Sequence, residues 1–143
     1  MNRPLFILLL VLAFVGVAVL GGCSSLRSKS DGGPPPVRIG IDGDNTTVSL
    51  VQGQQLIVSL PANPSTGFAW EIAAVPGHIA ADGNPAFTSG ATETSPALVG
   101  ASGEMAFAFL ATGSTSGVLE LAYRRPWEKK PAARTYRLTV NVK

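Results

Sequence analysis

The chain has 143 residues, 45% of them hydrophobic and 14% charged, which is enough apolar content for one packed domain once any processed segment is set aside. Its 11 Lys and Arg against 9 Asp and Glu give a net charge of +2, too weak an imbalance for a protein that follows a nucleic-acid backbone by charge. One cysteine and one histidine leave neither a disulfide nor a closely spaced set of metal ligands.

After Arg3, residues 5–20 are apolar or Gly throughout. A run of that length is short for a membrane span, and its basic start and small-residue end read as a secretory signal peptide. The ending Leu20-Gly21-Gly22-Cys23 resembles a bacterial lipoprotein signal. That resemblance implies a diacylglycerol on the Cys23 thiol, cleavage before it, and acylation of the new N-terminus. It also implies a lipid-anchored place in a bacterial cell envelope. Ser24, rather than Asp, after the lipid cysteine points to the outer membrane, on its periplasmic or surface face. The mature domain is then left with no thiol, and its stability rests on a packed core. The expected layout is a signal peptide at 1–22, Cys23 and a Ser/Gly/Pro-rich tether at 23–36, and a domain at 37–143. The tether, ending Asp31-Gly32-Gly33-Pro34-Pro35-Pro36, is too polar and too rich in Pro and Gly to bury a core.

Strand signals then follow one another. Val37-Arg38-Ile39-Gly40-Ile41 alternates, and Asp42-Gly43-Asp44-Asn45 is a turn. The β-rich runs 46–51 and 55–60 flank Gln52-Gly53-Gln54, which predicts a hairpin. Next comes Asn63-Pro64-Ser65-Thr66-Gly67, a tightly punctuated turn. Pro64 fixes its own φ and biases Asn63 towards extended geometry, and Gly67 is free to take positive φ. Ser65 and Thr66 put two hydroxyls at the tip, to bond local backbone or something outside. Phe68 and Trp70 fall on one face of the strand 68–74, where both are expected to anchor in the core. Pro76-Gly77 and Asp82-Gly83-Asn84-Pro85 punctuate a weaker section with short strands at 78–80 and 87–88. Met105, Phe107 and Phe109 share one face of 105–110, a further strand covers 117–123, and Tyr136, Leu138, Val140 and Val142 give a period of two over 135–142. Outside the leader, no window carries a helical apolar period. The pattern predicts an all-β, immunoglobulin-like sandwich of seven to eight strands.

Catalysis finds little support. His78 is the one histidine, it lies in a strand-like stretch, and no Gly-x-Ser-x-Gly elbow accompanies it. A lone histidine of this kind is expected at a surface or sheet edge. No metal or cofactor is expected, and the acidic residues are spread singly. Arg124, Arg125, Lys129, Lys130, Arg134 and Arg137 cluster near the C-terminus, which reads as a solvated basic loop rather than a nucleic-acid groove.

Two further loops stand out. Gly100, Ala101, Ser102 and Gly103 form a small-residue connection before the Met105 strand. Arg125, Pro126 and Trp127 begin a long charged connection, in which Trp127 is expected outside the core. The order Asn-Pro-x-Thr-Gly-Phe-x-Trp, then Gly-x-x-Gly, then Arg-Pro-Trp resembles the chagasin family of cysteine-peptidase inhibitors. The resemblance implies a reversible, tight-binding inhibitor of papain-like cysteine peptidases, acting as a monomeric domain with its three loops side by side at one end. By that resemblance Asn63, Pro64, Ser65, Thr66, Gly67 and Phe68 enter the catalytic cleft, with Ser65 and Thr66 nearest its centre. Gly100 to Gly103 run along the substrate-binding side, and Arg125, Pro126 and Trp127 contact the leaving-group side. The chain departs from the family pattern at Ser65, where Thr is common, and in lacking an extra glycine in the Gly-x-x-Gly loop. The alternative is a non-inhibitory immunoglobulin-like module for adhesion or assembly in the envelope, which would use an edge strand or a sheet face.

Overall fold

Alternation of apolar residues decides what faces inward. The computed structural model describes residues 32–90 and 102–143, and these form nine strands in two sheets. The expected leader, Cys23 and residues 24–31 of the tether lie outside the described residues, as do Gly100 and Ala101. In chain order the strands are β1 (Val37–Ile39), β2 (Thr46–Leu50), β3 (Gln55–Ala62), β4 (Ala69–Ala74), β5 (Ile79–Ala81), β6 (Ala86–Ser89), β7 (Gly103–Ala111), β8 (Ser116–Arg124) and β9 (Arg134–Val142). The count exceeds the expected seven to eight because both short segments of the weak middle section form strands.

One sheet runs β1-β3-β7, and β5 and β6 share the far edge of β7. The other runs β2-β9-β8-β4. Leu56, Val58 and Leu60 of β3 and Phe107 and Phe109 of β7 bury their side chains against Leu119 and Leu121 of β8 and Tyr136, Leu138 and Val140 of β9. Every second residue of these strands is inside, so each sheet supplies one wall of a single core. Truncating one of these leucines to Ala typically costs about 2–5 kcal/mol.

Two readings of the sequence need correction. Gln52-Gly53-Gln54 does turn tightly, with Gln54 N donating to Val51 O at 3.0 Å. The strands on either side nevertheless do not pair: β2 lies parallel to β9 and β3 antiparallel to β7, so the turn crosses from one sheet to the other. His78, which directly precedes the edge strand β5, is not exposed. It is 4% exposed, and its Nε2 lies 3.0 Å from Val140 O, so the ring joins the β5 side of one sheet to β9 of the other.

Tyr136 makes a second tie. Its hydroxyl donates to Gly40 O at 3.2 Å, and burial, with Asp44 and Asp42 nearby, pushes its pKa up to about 12. Gly43 admits this packing because a Cβ there would collide with the Ile39 side chain.

Candidate functional site

Register gathers the loops at one end. β3 ends at Ala62, opposite Gly103, where β7 begins. β4 begins at Ala69, opposite Arg124, where β8 ends. Residues 63–68 therefore bridge the two sheets at this pole, Ser102 and Gly103 sit beside their start, and the Arg125 loop leaves beside their end. Gly90 N donates to Ser102 O at 3.2 Å, closing the base of the β6–β7 connection.

The tip is a single 3-10 turn, Pro64–Thr66, capped at both ends. Asn63 Oδ1 accepts from Ser65 N at 3.2 Å and from Ser65 Oγ at 2.6 Å. Thr66 Oγ1 donates to Asn63 O at 2.7 Å. Gly67 takes the left-handed conformation at φ 77°, and its N donates to Pro64 O at 3.0 Å. Asn63 is the organising residue, since its side chain and carbonyl together hold both hydroxyls. Pro64, Ser65 and Thr66 are exposed. Both hydroxyl protons are directed inward, so the tip offers an incoming partner hydroxyl lone pairs and a fixed shape rather than free O–H donors.

Gly67 carries a second constraint. A Cβ there would sit 2.6 Å from Trp127 Cη2 and 2.9 Å from Cζ2. The indole rests on the glycine's bare α-carbon, yet Trp127 remains 70% exposed, outside the core as expected. Arg125 completes the join. Its Nε donates to Thr66 O at 3.3 Å, its Nη1 donates to Glu128 Oε1 at 2.9 Å, and its guanidinium carbon lies 4.6 Å from the centre of the Phe68 ring. Lys130 Nζ approaches the other Glu128 oxygen at 3.0 Å. The Arg125 hydrogen bond first, and Lys130 after it, hold the Glu128 carboxyl below its ordinary value.

Below the tip the two aromatics part company. Trp70 is in the core and donates Nε1–H to Pro61 O at 2.9 Å. Phe68 is only half-buried, which corrects its expected place in the core. It precedes β4, and its ring lies between Tyr123, stacked with centroids 5.3 Å apart, and the Arg125 guanidinium. Tyr123 also meets Trp70, at 5.0 Å, so one tyrosine supports both. The sequence reading places Tyr123 at the end of the strand 117–123 and gives it no role at the site. Its place two residues after Leu121, on a strand of period two, was the available signal.

The basic cluster is largely paired. Arg124 Nε meets Glu71 at 2.7 Å and Arg137 Nε meets Glu120 at 3.0 Å, besides the Glu128 pairs. A recess of about 250 Å³ opens beside Phe68, Arg124, Arg125 and Glu128. It is smaller than the roughly 300–1,000 Å³ usual for small-molecule pockets.

A β-sandwich that holds a capped polar tip and an exposed tryptophan together at one pole is a loop-presenting domain. Residues 49–141 match the sequence profile of the chagasin family peptidase inhibitors, I42. Amoebiasin-1 of Entamoeba histolytica is 30% identical over 101 residues, which cover 71% of this chain and 94% of that protein. The solution structure of amebosin, 29% identical, matches with a TM-score of 0.61 over 78% of this chain and 100% of its own. The cysteine protease inhibitor EhICP2 of Entamoeba histolytica, 23% identical, shares the fold with a TM-score of 0.66 over the same fractions, 78% and 100%. The chain belongs to the chagasin family. That family is one of peptidase inhibitors, and the chain is an inhibitor rather than an enzyme.

Proposed function

We propose that the pole formed by Asn63, Pro64, Ser65, Thr66, Gly67 and Phe68 is inserted into the catalytic cleft of a papain-like cysteine peptidase. Gly100, Ala101, Ser102 and Gly103 flank it on the substrate-binding side, and Pro126 and Trp127 on the leaving-group side. The observation that carries this reading is the seating of Trp127 on Gly67, which makes one rigid edge of two loops. Ordering a side chain on binding costs about 0.5–1.5 kcal/mol, and loops already locked together avoid much of that cost. Ser65 keeps the hydroxyl of the commoner threonine at that place, and the Asn63 cap needs only the hydroxyl.

Titrating the purified protein against papain under steady-state conditions tests the reading. Stoichiometric inhibition that reverses on dilution is the expected result. Full peptidase activity at micromolar inhibitor would overturn it for papain-like targets in general.

The inhibitor is further proposed to be a bacterial lipoprotein anchored through Cys23, in the outer membrane. The Leu20-Gly21-Gly22-Cys23 ending and the tether behind it support this. Cells fed labelled palmitate should label the wild-type chain and not Cys23→Ser, and the variant should keep its leader uncut. Equal labelling of both, or of neither, would sink the anchor.

A further inference from the structure

The resemblance to the family implies that Arg125 contacts the peptidase. In this chain its functional atoms point the other way. Arg125 is half-buried, its Nε is on Thr66 O, its Nη1 is on Glu128, and its face covers Phe68. Each of these partners belongs to the inhibitor. The Thr66–Gly67 peptide is thereby held at both polar atoms, its carbonyl by Arg125 and its N–H by Pro64 O. Trp127 closes over the same peptide from the side of the Gly67 α-carbon.

We propose that Arg125 is a positioning residue: oriented by Glu128, it fastens the Thr66–Gly67 peptide in a shape that the bound peptidase does not cleave. The inference rests on the tip entering the cleft, as argued above. A cysteine peptidase must polarise a substrate carbonyl in its oxyanion hole before its thiolate attacks the carbonyl carbon. A carbonyl already bonded to a guanidinium, in a peptide locked by a left-handed glycine and an indole, resists the rotation that this would need. Glu128 is part of the device because its carboxylate fixes the guanidinium plane, and a planar fork serves two partners and an aromatic face at once as a lysine ammonium does not.

The test compares four variants of the full-length protein, extracted in detergent: Arg125→Ala, Arg125→Lys, Glu128→Gln and the double variant Arg125→Ala with Glu128→Gln. Arg124→Ala serves as the control, since its partner is Glu71. Dissociation from papain should quicken by about tenfold to a hundredfold in Arg125→Ala, the usual scale for losing a charged hydrogen-bond anchor. Arg125→Lys should not restore it. Glu128→Gln should act in the same direction but more weakly, and the double variant should match Arg125→Ala alone, because both residues act through one device. On long incubation the Arg125 variants should be cut within residues 63–68, while Arg124→Ala stays whole.

A direct contact gives the opposite pattern. Lysine would restore affinity through its charge, Glu128→Gln would leave binding equal or tighter, and the two effects would add; that outcome overturns the proposal. Amide hydrogen exchange of residues 63–68 in the free protein separates this inference from the one beneath it. Unchanged exchange in Arg125→Ala refutes the positioning role even if the protein inhibits. Faster exchange in Arg125→Ala, together with a wild-type protein that fails to inhibit papain, refutes the cleft insertion and leaves the role in the loop intact.

Discussion

Gly53 and Gly67 lie at opposite poles of the sandwich and have nearly the same backbone, φ 81° and φ 77°. Both close a tight turn that crosses from one sheet to the other, Gly53 between β2 and β3 and Gly67 between β3 and β4. Their surroundings differ. Nothing lies within 4 Å of a Cβ placed on Gly53, whereas one on Gly67 would strike the Trp127 ring. At the first position the chain needs only glycine's conformational freedom. At the second it needs that freedom and also the missing methyl. A turn used for connection is thus distinguished from a turn used for display by what rests on it.

Substitutions at the two poles put that contrast to work. Gly67→Ala should have the largest effect, since left-handed strain of roughly 1–2 kcal/mol combines with displacement of Trp127. The inhibition constant for papain is expected to rise by about two orders of magnitude, the scale of a lost hot spot. Retention of wild-type inhibition would break the claim that the two loops form one edge. Trp127→Ala should weaken inhibition by about tenfold or more, while thermal unfolding shifts by no more than the ~0.5 kcal/mol usual for an exposed side chain. A collapse in melting temperature would instead make Trp127 part of the scaffold. Gly53→Ala should lower the melting temperature by about 4–8 °C, from the same strain without the collision, and leave the inhibition constant alone.

The smallest expected effect is a contrast in pH response. Glu128 is held below its ordinary 4.5, so its contribution is complete above that value and is lost as pH falls through the lower folded value. Tyr136 behaves in the opposite sense. Its folded pKa is raised from 10.0 to about 12, so its contribution is complete below 10.0 and is lost as pH rises between the two. Acid should therefore loosen the tip first, read as faster protease nicking within residues 63–68. Alkali should act on the scaffold, read as a falling melting temperature that Tyr136→Phe makes less sensitive to pH.

The scaffold was legible where alternation reports burial directly. Tyr136, Leu138, Val140 and Val142 were read as one inward face and are one. Partnership was less legible. The Gly53 turn has the same residues and the same bond whether its strands pair or part, and the choice depends on β7 and β9, far along the chain. His78 gave no signal of its burial because its partner is the backbone carbonyl of Val140, 62 residues away, which no side-chain pattern announces. At the site, the loops were found by their motifs, and the exposure of Trp127 followed from its charged setting. The inward turn of Arg125 was hidden for the reason that hid His78: Thr66 O is a backbone atom. Motifs name the residues that meet, and tertiary structure decides which way their donors point.

The direction of the first strand has a consequence of its own. β1 runs parallel to β3, so the chain arrives at Val37 beside Leu56 and runs towards the loop pole rather than away from it. Just before it, Pro35 O accepts from Gln54 Nε2 at 2.8 Å, which fastens the approach to the turn at the far pole. Had β1 been antiparallel, residues 32–36 would have emerged among the three loops and lain across their working edge. Residues 32–36 therefore approach β1 from the far pole and leave the loop pole clear of themselves.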